Sequence, residues 1–128
     1  MSNPQLLLVE DNELNRDMLS RRLKRAGFDA LIAEDGAKAL DCIESEHPDL
    51  VLLDMNLPLI DGWTVCKRVR ANSALAGTPI IALTAHAMPE DRDKAIAAGC
   101  DDYATKPIDF PALLEKIKRL LESRKLQT

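Results

Sequence analysis

The feature that most constrains the fold of this chain is an apolar run that ends in an acid. Residues 50–53 are Leu-Val-Leu-Leu, Asp54 follows directly, and Pro48 and Pro58 bound the segment. A short, uninterrupted apolar run is typical of a strand buried on both faces, as in parallel sheets. A charged Asp54 there must be paired, bound to a metal or open to solvent, because burying an unpaired charge is costly. Since α/β proteins bind ligands at the carboxyl ends of their strands, we expect Asp54 to be a functional residue.

Apolar periodicity elsewhere predicts five strands that alternate with five helices. The predicted strands are residues 5–9, 28–33, 50–53, 79–84 and 101–105, and the predicted helices are residues 14–26, 37–46, 63–70, 89–98 and 109–123. In the first helix, which Asn12 or Asp11 can cap, the residues predicted to face inward are Leu14, Met18, Leu19, Leu23 and Ala26. Strict alternation predicts an α/β fold in which right-handed βαβ units build a parallel sheet covered by helices on both faces.

The chain of 128 residues is predicted to be a single domain with a core at about residues 5–121 and a loose tail at 124–128. Its formal net charge of -4 argues against direct binding to nucleic acid, which needs a basic surface. No apolar stretch is long enough for membrane insertion, and the start of the chain lacks the features of a signal peptide. Three scattered cysteines without a CxxC motif predict reduced thiols and a cytoplasmic location.

Polar side chains close four of the five predicted strands. They are Glu10-Asp11, Asp54, Thr84 and Lys106. Parallel strands bring their carboxyl ends to one edge of the sheet, so these side chains should converge. Three neighbouring carboxylates repel one another and require positive charge nearby. Lys106 supplies one such charge, and a divalent cation would supply the rest, with Mg²⁺ or Mn²⁺ favoured over zinc because the ligands are all oxygen atoms.

This arrangement resembles the receiver domain of response regulators from two-component phosphorelay systems. The resemblance covers residues 6–121 and is carried by the segments Val9-Glu10-Asp11-Asn12, Leu53-Asp54-Met55-Asn56-Leu57-Pro58 with Asp61-Gly62, Leu83-Thr84-Ala85, and Lys106-Pro107. Each segment alone is weak, whereas all four in this order are highly specific. The resemblance implies a flavodoxin-like, doubly wound (βα)5 fold with strand order 2-1-3-4-5 and a site at the switch point between the first and third strands.

The resemblance also implies a role for each residue of the site. Asp54 would be the nucleophile that takes a phosphoryl group from a phosphohistidine, and Lys106 would pair with a phosphoryl oxygen. Glu10 (through water), Asp11, Asp54 and the backbone carbonyl of Asn56 would hold Mg²⁺. The charges agree with this assignment, because three carboxylates, one ammonium and one divalent cation cancel.

Further residues are implied to act after phosphorylation. Thr84 would turn inward to bond the phosphoryl group, and Tyr103, three residues before the lysine, would swing from exposed to buried. Asn56 and His86 border the position of the attacking water and would tune autodephosphorylation. The Lys106–Pro107 peptide bond is expected to be cis.

The predicted function is therefore that of a signalling switch, not of an enzyme acting on other substrates. The expected partners are a histidine kinase or phosphotransfer protein and a downstream protein that docks on residues 89–98, 101–105 and 109–123, with the chain itself a monomer or weak dimer. One alternative is a receiver segment of a hybrid histidine kinase, and a second is a pseudo-receiver that is never phosphorylated. A haloacid-dehalogenase-like aspartyl-phosphate hydrolase is a third, which Asn56 disfavours because such enzymes carry a second acid at that position.

Overall fold

The computed structural model describes residues 3–85 and 89–126. Its elements follow in the order β1 (Gln5–Val9), α1 (Glu13–Arg25), β2 (Asp29–Ala33), α2 (Gly36–Glu46), β3 (Leu50–Asp54), α3 (Gly62–Ala71), β4 (Ile80–Thr84), α4 (Pro89–Ala97), β5 (Asp102–Thr105) and α5 (Phe110–Leu126). Each predicted element is present, and the bounds differ by at most one residue except at the end of α5.

The last helix is longer than the sequence suggested. It continues to Leu126, so residues 124–126, which were predicted to belong to a loose tail, are helical. Arginine, lysine and leucine are good helix formers, and extending an existing helix costs far less than starting one. Residues 127 and 128 lie outside the described part of the chain.

The sheet is parallel throughout, with the order β2-β1-β3-β4-β5. This confirms the predicted flavodoxin-like order. β3 occupies the centre, where it pairs with β1 on one side and β4 on the other. The chain winds from β1 outward to β2, then crosses to β3 and continues in the opposite direction, so the switch point lies between the carboxyl ends of β1 and β3.

The core consists of two aliphatic layers, one on each face of the sheet. Alternate residues of each central strand point to opposite faces, so that Leu7 and Leu53 belong to one layer and Leu6 and Leu52 to the other. Helices α2, α3 and α4 cover the first layer, and α1 and α5 cover the second. Among the described helices, none is long and apolar enough to cross a membrane.

Helix α1 exposes two residues that were predicted to face inward. Leu23 is fully buried, but Leu14 is 67% and Met18 is 47% exposed. The prediction was wrong for these two because apolar periodicity marks a face of a helix without showing how much of it neighbouring elements cover. Leu14 lines a depression beside Ile32 of β2, and β2 is at one edge of the sheet, so little of the fold extends over it.

Arg70 connects helix α3 to the amino-terminal edge of the sheet, which is opposite the edge that carries Asp54. The Arg70 guanidinium donates to the carbonyl oxygens of Gly99 (2.8 Å), Ala76 (2.9 Å) and Thr78 (2.7 Å), and to the carboxylate of Asp101 (2.8 Å). These bonds connect the end of α3 with the loop before β4 and with the turn between α4 and β5. The amino-terminal edge of β4 and β5 is therefore held by α3.

Candidate functional site

The carboxyl edge of the sheet brings three of the predicted residues into direct contact. Glu10 follows β1, Asp54 ends β3, and Lys106 follows β5. The Lys106 ammonium lies 2.8 Å from Asp54 Oδ2 and 3.0 Å from Glu10 Oε2. Its long side chain thus passes the end of β4 to reach the ends of β3 and β1. Both carboxylates are almost fully buried, so water stabilises their negative charges poorly. The shared lysine stabilises them instead.

Asp54 is held through both of its carboxylate oxygens. It is 2% exposed, its Oδ1 accepts a hydrogen bond from the Asn56 backbone N–H at 2.9 Å, and its Oδ2 accepts from Lys106. The backbone around it is also paired, since Met55 N–H donates to the Leu83 carbonyl. These bonds fix the orientation of the carboxylate, which is what a positioned nucleophile requires.

The loop after β5 is anchored next to the end of β4. The Lys106 backbone N–H donates to the Thr84 carbonyl oxygen at 2.7 Å, and the Lys106–Pro107 peptide bond is cis. Thr84 is itself buried and pairs with Thr105 across the strands. Thr84 and Lys106 are thereby linked through a backbone hydrogen bond.

The charges of the site shift the protonation of two of its members. Burial raises the pKa of Glu10, the Lys106 hydrogen bond opposes this shift, and the neighbouring Asp54 charge adds to it. Burial alone would lower the pKa of Lys106, but its hydrogen bonds to Asp54 and Glu10 outweigh that effect and raise it. Lys106 therefore remains charged at neutral pH, whereas Glu10 gains a proton more readily than an exposed glutamate.

Three carboxylates of the site are close enough to share one cation. Oxygen atoms of Glu10, Asp11 and Asp54 all lie within 4.8 Å of one another, and Asp11 is exposed to solvent. Together with Lys106 they leave two net negative charges, which is the charge that a divalent cation neutralises. Oxygen donors beside solvent suit Mg²⁺, which binds through one or two carboxylates and keeps several waters. The donor set present thus fits the predicted metal.

An arginine that the sequence analysis did not single out supports the acidic loop. Arg16 of α1 donates from Nη1 to the Glu10 carbonyl oxygen at 3.1 Å, and the Asn12 backbone N–H donates to Glu10 Oε1 at 3.2 Å. Asn12 also caps α1 by accepting from the Asn15 N–H. The sequence signal that could have identified Arg16 is its position, one turn into the helix that follows Glu10 and Asp11.

The remaining predicted residues surround this centre. Asn56 is exposed two residues after the end of β3, and Ala85 is exposed just beyond β4. Tyr103 lies on β5, partly buried, with the Arg92 guanidinium 5.7 Å and the Lys116 ammonium 5.0 Å from its ring centroid. His86 lies outside the described residues.

The raised pKa of Glu10 predicts opposite pH dependences for stability and for metal binding. Between its ordinary value of 4.5 and its raised value, the native state keeps a proton that the unfolded state has lost, so the free energy of unfolding falls as pH rises through this range. Mg²⁺ competes with that proton, so its affinity rises with pH by up to about tenfold per unit below the raised pKa. Calorimetric titration with Mg²⁺ from mildly acidic to neutral pH measures the second effect.

The Glu10→Gln variant serves as the control for this pH dependence. It keeps the size of the side chain but has no proton to lose, so the pH dependence of its Mg²⁺ affinity should flatten. An unchanged pH profile in Glu10→Gln would contradict the role assigned to this residue.

Comparison with known proteins associates this geometry with one family. The family model described as the response regulator receiver domain matches residues 6–118. The polar-differentiation response regulator DivK of Brucella ovis is 37% identical over 116 residues, which make up 91% of this chain and 94% of DivK. The DNA-binding dual master transcriptional regulator RpaA of Synechocystis is 37% identical over 118 residues. These cover 92% of this chain but 49% of RpaA, so the chain spans about half the length of that relative.

Solved structures show the same similarity in three dimensions. The chemotaxis response regulator CheY4 of Vibrio cholerae superposes with a TM-score of 0.87 at 31% identity, covering 93% of this chain and 99% of CheY4. The receiver domain of a Pseudomonas aeruginosa sensor histidine kinase superposes with a TM-score of 0.88 at 33% identity, covering 94% and 99%. That receiver was solved with a magnesium ion coordinated in its active-site cleft.

Proposed function

Because this chain belongs to the response regulator receiver domain family of two-component signalling, we propose that it is a signalling switch that Mg²⁺-dependent phosphorylation of Asp54 turns on. The observation that carries the proposal is the buried Asp54 carboxylate, oriented by Asn56 and Lys106 beside the carboxylates of Glu10 and Asp11. Its own phosphorylation and dephosphorylation would be the only chemistry that the chain performs.

The transfer step follows from this arrangement. An oxygen of the Asp54 carboxylate attacks the phosphorus of a phosphohistidine, an O–P bond forms, and the N–P bond breaks with its electron pair going to the imidazole. Such transfers depend on positioning and on neutralising the charge of the phosphoryl oxygens. Lys106 is already within 2.8 Å of the acceptor and would pair with one of those oxygens as the transfer proceeds.

The acidic residues of the site would hold the metal. Glu10, Asp11 and Asp54, with the backbone carbonyl of Asn56, would bind Mg²⁺ or Mn²⁺, which when bound neutralises negative charge on the phosphoryl oxygens. The magnesium ion in the cleft of the Pseudomonas receiver supports this assignment. Within the protein, Asp11 would supply an oxygen ligand next to the acceptor, and Glu10 would hold the metal through water.

Phosphorylation would change the surface that partners meet. The new dianion would be bonded by the Thr84 hydroxyl, and Tyr103 would move further into the core between α4 and α5. Its ring now lies against Arg92 of α4 and Lys116 of α5, so its movement would alter both helices of the proposed output face. One hydrogen bond to a charged group contributes about 1.5–3 kcal/mol, less than the roughly 5.5 kcal/mol needed to invert a 1:99 population. Docking of the downstream protein would complete the shift.

The movement of Tyr103 can be tested with beryllofluoride, which mimics a phosphoryl group on a carboxylate. A crystal structure of the beryllofluoride-bound chain should show the tyrosine ring more deeply buried and its contact with Arg92 changed. A ring in the same position with and without beryllofluoride would refute the switch.

The phosphodonor would approach from the side of α1. A groove of about 580 Å³ opens beside Glu10 and Lys106, and its walls include Met18, Arg22 and Ile108. This mixed apolar and basic surface suits a histidine kinase or phosphotransfer protein that brings its phosphohistidine to Asp54.

The proposed function is tested by incubation with acetyl phosphate and Mg²⁺, followed by intact mass spectrometry. The wild type should gain one phosphoryl group, and the gain should disappear with a chelator or in Asp54→Asn. Asp35→Asn is the matched control, since Asp35 caps α2 by accepting from the Lys38 N–H and is not one of the three clustered carboxylates, so the adduct should be unchanged. An adduct that persists in Asp54→Asn, or no adduct from either acetyl phosphate or a phosphorylated histidine-kinase domain, would refute the proposal.

A further inference from the structure

Two cysteines far apart in the sequence lie in contact on the α3 side of the sheet. The Cys100 thiol donates a hydrogen bond to the Cys66 sulfur, with 3.4 Å between the two Sγ atoms. Cys66 is on the inner face of α3, and Cys100 follows the turn that ends α4. Neither belongs to the proposed phosphorylation site, which lies at the other edge of the sheet.

The surroundings of the pair favour a reactive sulfur at one member. The hydrogen bond from Cys100 lowers the pKa of the Cys66 thiol in spite of its burial, and the nearby Arg70 acts in the same direction. The same hydrogen bond raises the pKa of Cys100, with burial adding to the effect. Arg70 is fixed beside the pair because it bonds the Gly99 carbonyl and the Asp101 carboxylate, the two residues that flank Cys100 in the chain. The thiolate is the reactive form of cysteine, so Cys66 is the better nucleophile of the two.

The geometry leaves a short path to a covalent bond. A disulfide requires about 2.05 Å between sulfurs, so the two atoms must approach by a little over 1 Å. Cys100 lies outside regular secondary structure and follows Gly99, which has a φ of +105°. Cys100 is 5% exposed and Cys66 is fully buried, so a small oxidant would have to enter from the side of Cys100.

We propose that Cys66 and Cys100 are an oxidative modification site, at which hydrogen peroxide forms an intramolecular disulfide between α3 and the turn that joins α4 to β5. In the first step the Cys66 sulfur attacks peroxide, forming an S–O bond, breaking the O–O bond and releasing water. In the second step the Cys100 sulfur attacks the resulting sulfenic acid, forming the S–S bond and releasing a second water. Two thiols are oxidised and one peroxide is reduced to two waters, so the reaction balances.

The bond would connect α3 to the end of α4. Cys100 is separated from Cys66 by 34 positions in the chain, and the enclosed segment contains β4 and α4. Closing a loop of this size restricts the unfolded chain and the independent movement of α4. This consequence does not depend on phosphorylation, and neither does its test.

The test counts alkylatable thiols under denaturing conditions after treatment of the folded protein with hydrogen peroxide. The reduced protein has three thiols, Cys42, Cys66 and Cys100. After treatment only the Cys42 thiol should be alkylatable, and the mass of the protein should be lower by two hydrogen atoms. Reduction should then restore all three thiols. The Cys42→Ser variant should pass from two alkylatable thiols to none while remaining a monomer on a non-reducing gel.

A second variant keeps the proposal falsifiable if the first behaves abnormally. Cys66→Ser retains Cys42 and Cys100 and should form no internal disulfide under the same treatment. The proposal is overturned if wild-type Cys66 and Cys100 remain alkylatable at peroxide concentrations that oxidise Cys42. It is also overturned if the disulfide formed joins two chains or includes Cys42.

Discussion

Lys106→Met is expected to slow phosphoryl transfer to Asp54 by about 100- to 1000-fold, the usual effect of removing one preorganised electrostatic contact from a reacting centre. Methionine has nearly the length of lysine but no charge, so the substitution removes the ammonium that lies 2.8 Å from Asp54 and 3.0 Å from Glu10. Two buried carboxylates would then face each other without a cation. The rate is measured as the appearance of the phosphoryl adduct with acetyl phosphate.

The same substitution should also destabilise the fold. Removing one partner from a buried ion pair costs about 3 kcal/mol or more, and here one lysine serves two carboxylates. Mg²⁺ should restore part of the loss, because it supplies positive charge to the same acids. Urea unfolding with and without Mg²⁺ measures both effects.

Lys116→Met is the matched control for Lys106→Met. The Lys116 side chain is 27% exposed, against 25% for Lys106, and it pairs with Asp102 at 3.3 Å, but it lies away from the acidic cluster. Its transfer rate from acetyl phosphate should stay within about threefold of the wild type, since a distant charge is screened. Equal rates in the two variants would contradict the role given to Lys106.

Gly62→Ala is expected to destabilise the protein by about 1–3 kcal/mol, as overpacking of a filled interior does, and to reduce the transfer rate as well. Gly62 is the first residue of α3, and its backbone N–H donates to the Met55 carbonyl at 3.2 Å. A Cβ at this position would lie 2.5 Å from the Asp54 carbonyl oxygen and 2.7 Å from the Met55 Cα. Both obstacles are backbone atoms of the segment that carries the acceptor, so either α3 or Asp54 must move.

The loss of activity follows from that displacement. Misplacing a reacting group by about 1 Å can cost roughly 100-fold in rate, so Gly62→Ala should affect transfer although it substitutes none of the side chains of the site. Gly77→Ala is the matched control, because no atom lies within 4 Å of its added Cβ. Its stability should change by less than about 1 kcal/mol, and its transfer rate should match the wild type. A Gly62→Ala protein that behaves like Gly77→Ala would show that this close approach does not position Asp54.

Much of the fold could be predicted because its signals are local. The apolar run that precedes Asp54 and the similar run that precedes Glu10 predict buried strands from composition alone, and glycines and prolines mark the ends of the helices between them. The order of the strands came from the resemblance carried by the polar residues at the strand ends, and the structure confirms it. The exposed Leu14 and Met18 show the limit of local signals, since their burial depends on whether a neighbour covers them.

The sequence by itself determined which residues stand at the ends of the strands, because a strand, its direction and its last residue follow from a short stretch of chain. It therefore identified Glu10, Asp11, Asp54 and Lys106 as one group. Only the tertiary structure decided how they pair, with Lys106 bonding both Asp54 and a glutamate 96 positions away in the chain. It likewise decided that Cys66 meets Cys100. Such contacts depend on how whole elements pack, and no local preference of the chain encodes the distance between two side chains that packing brings together.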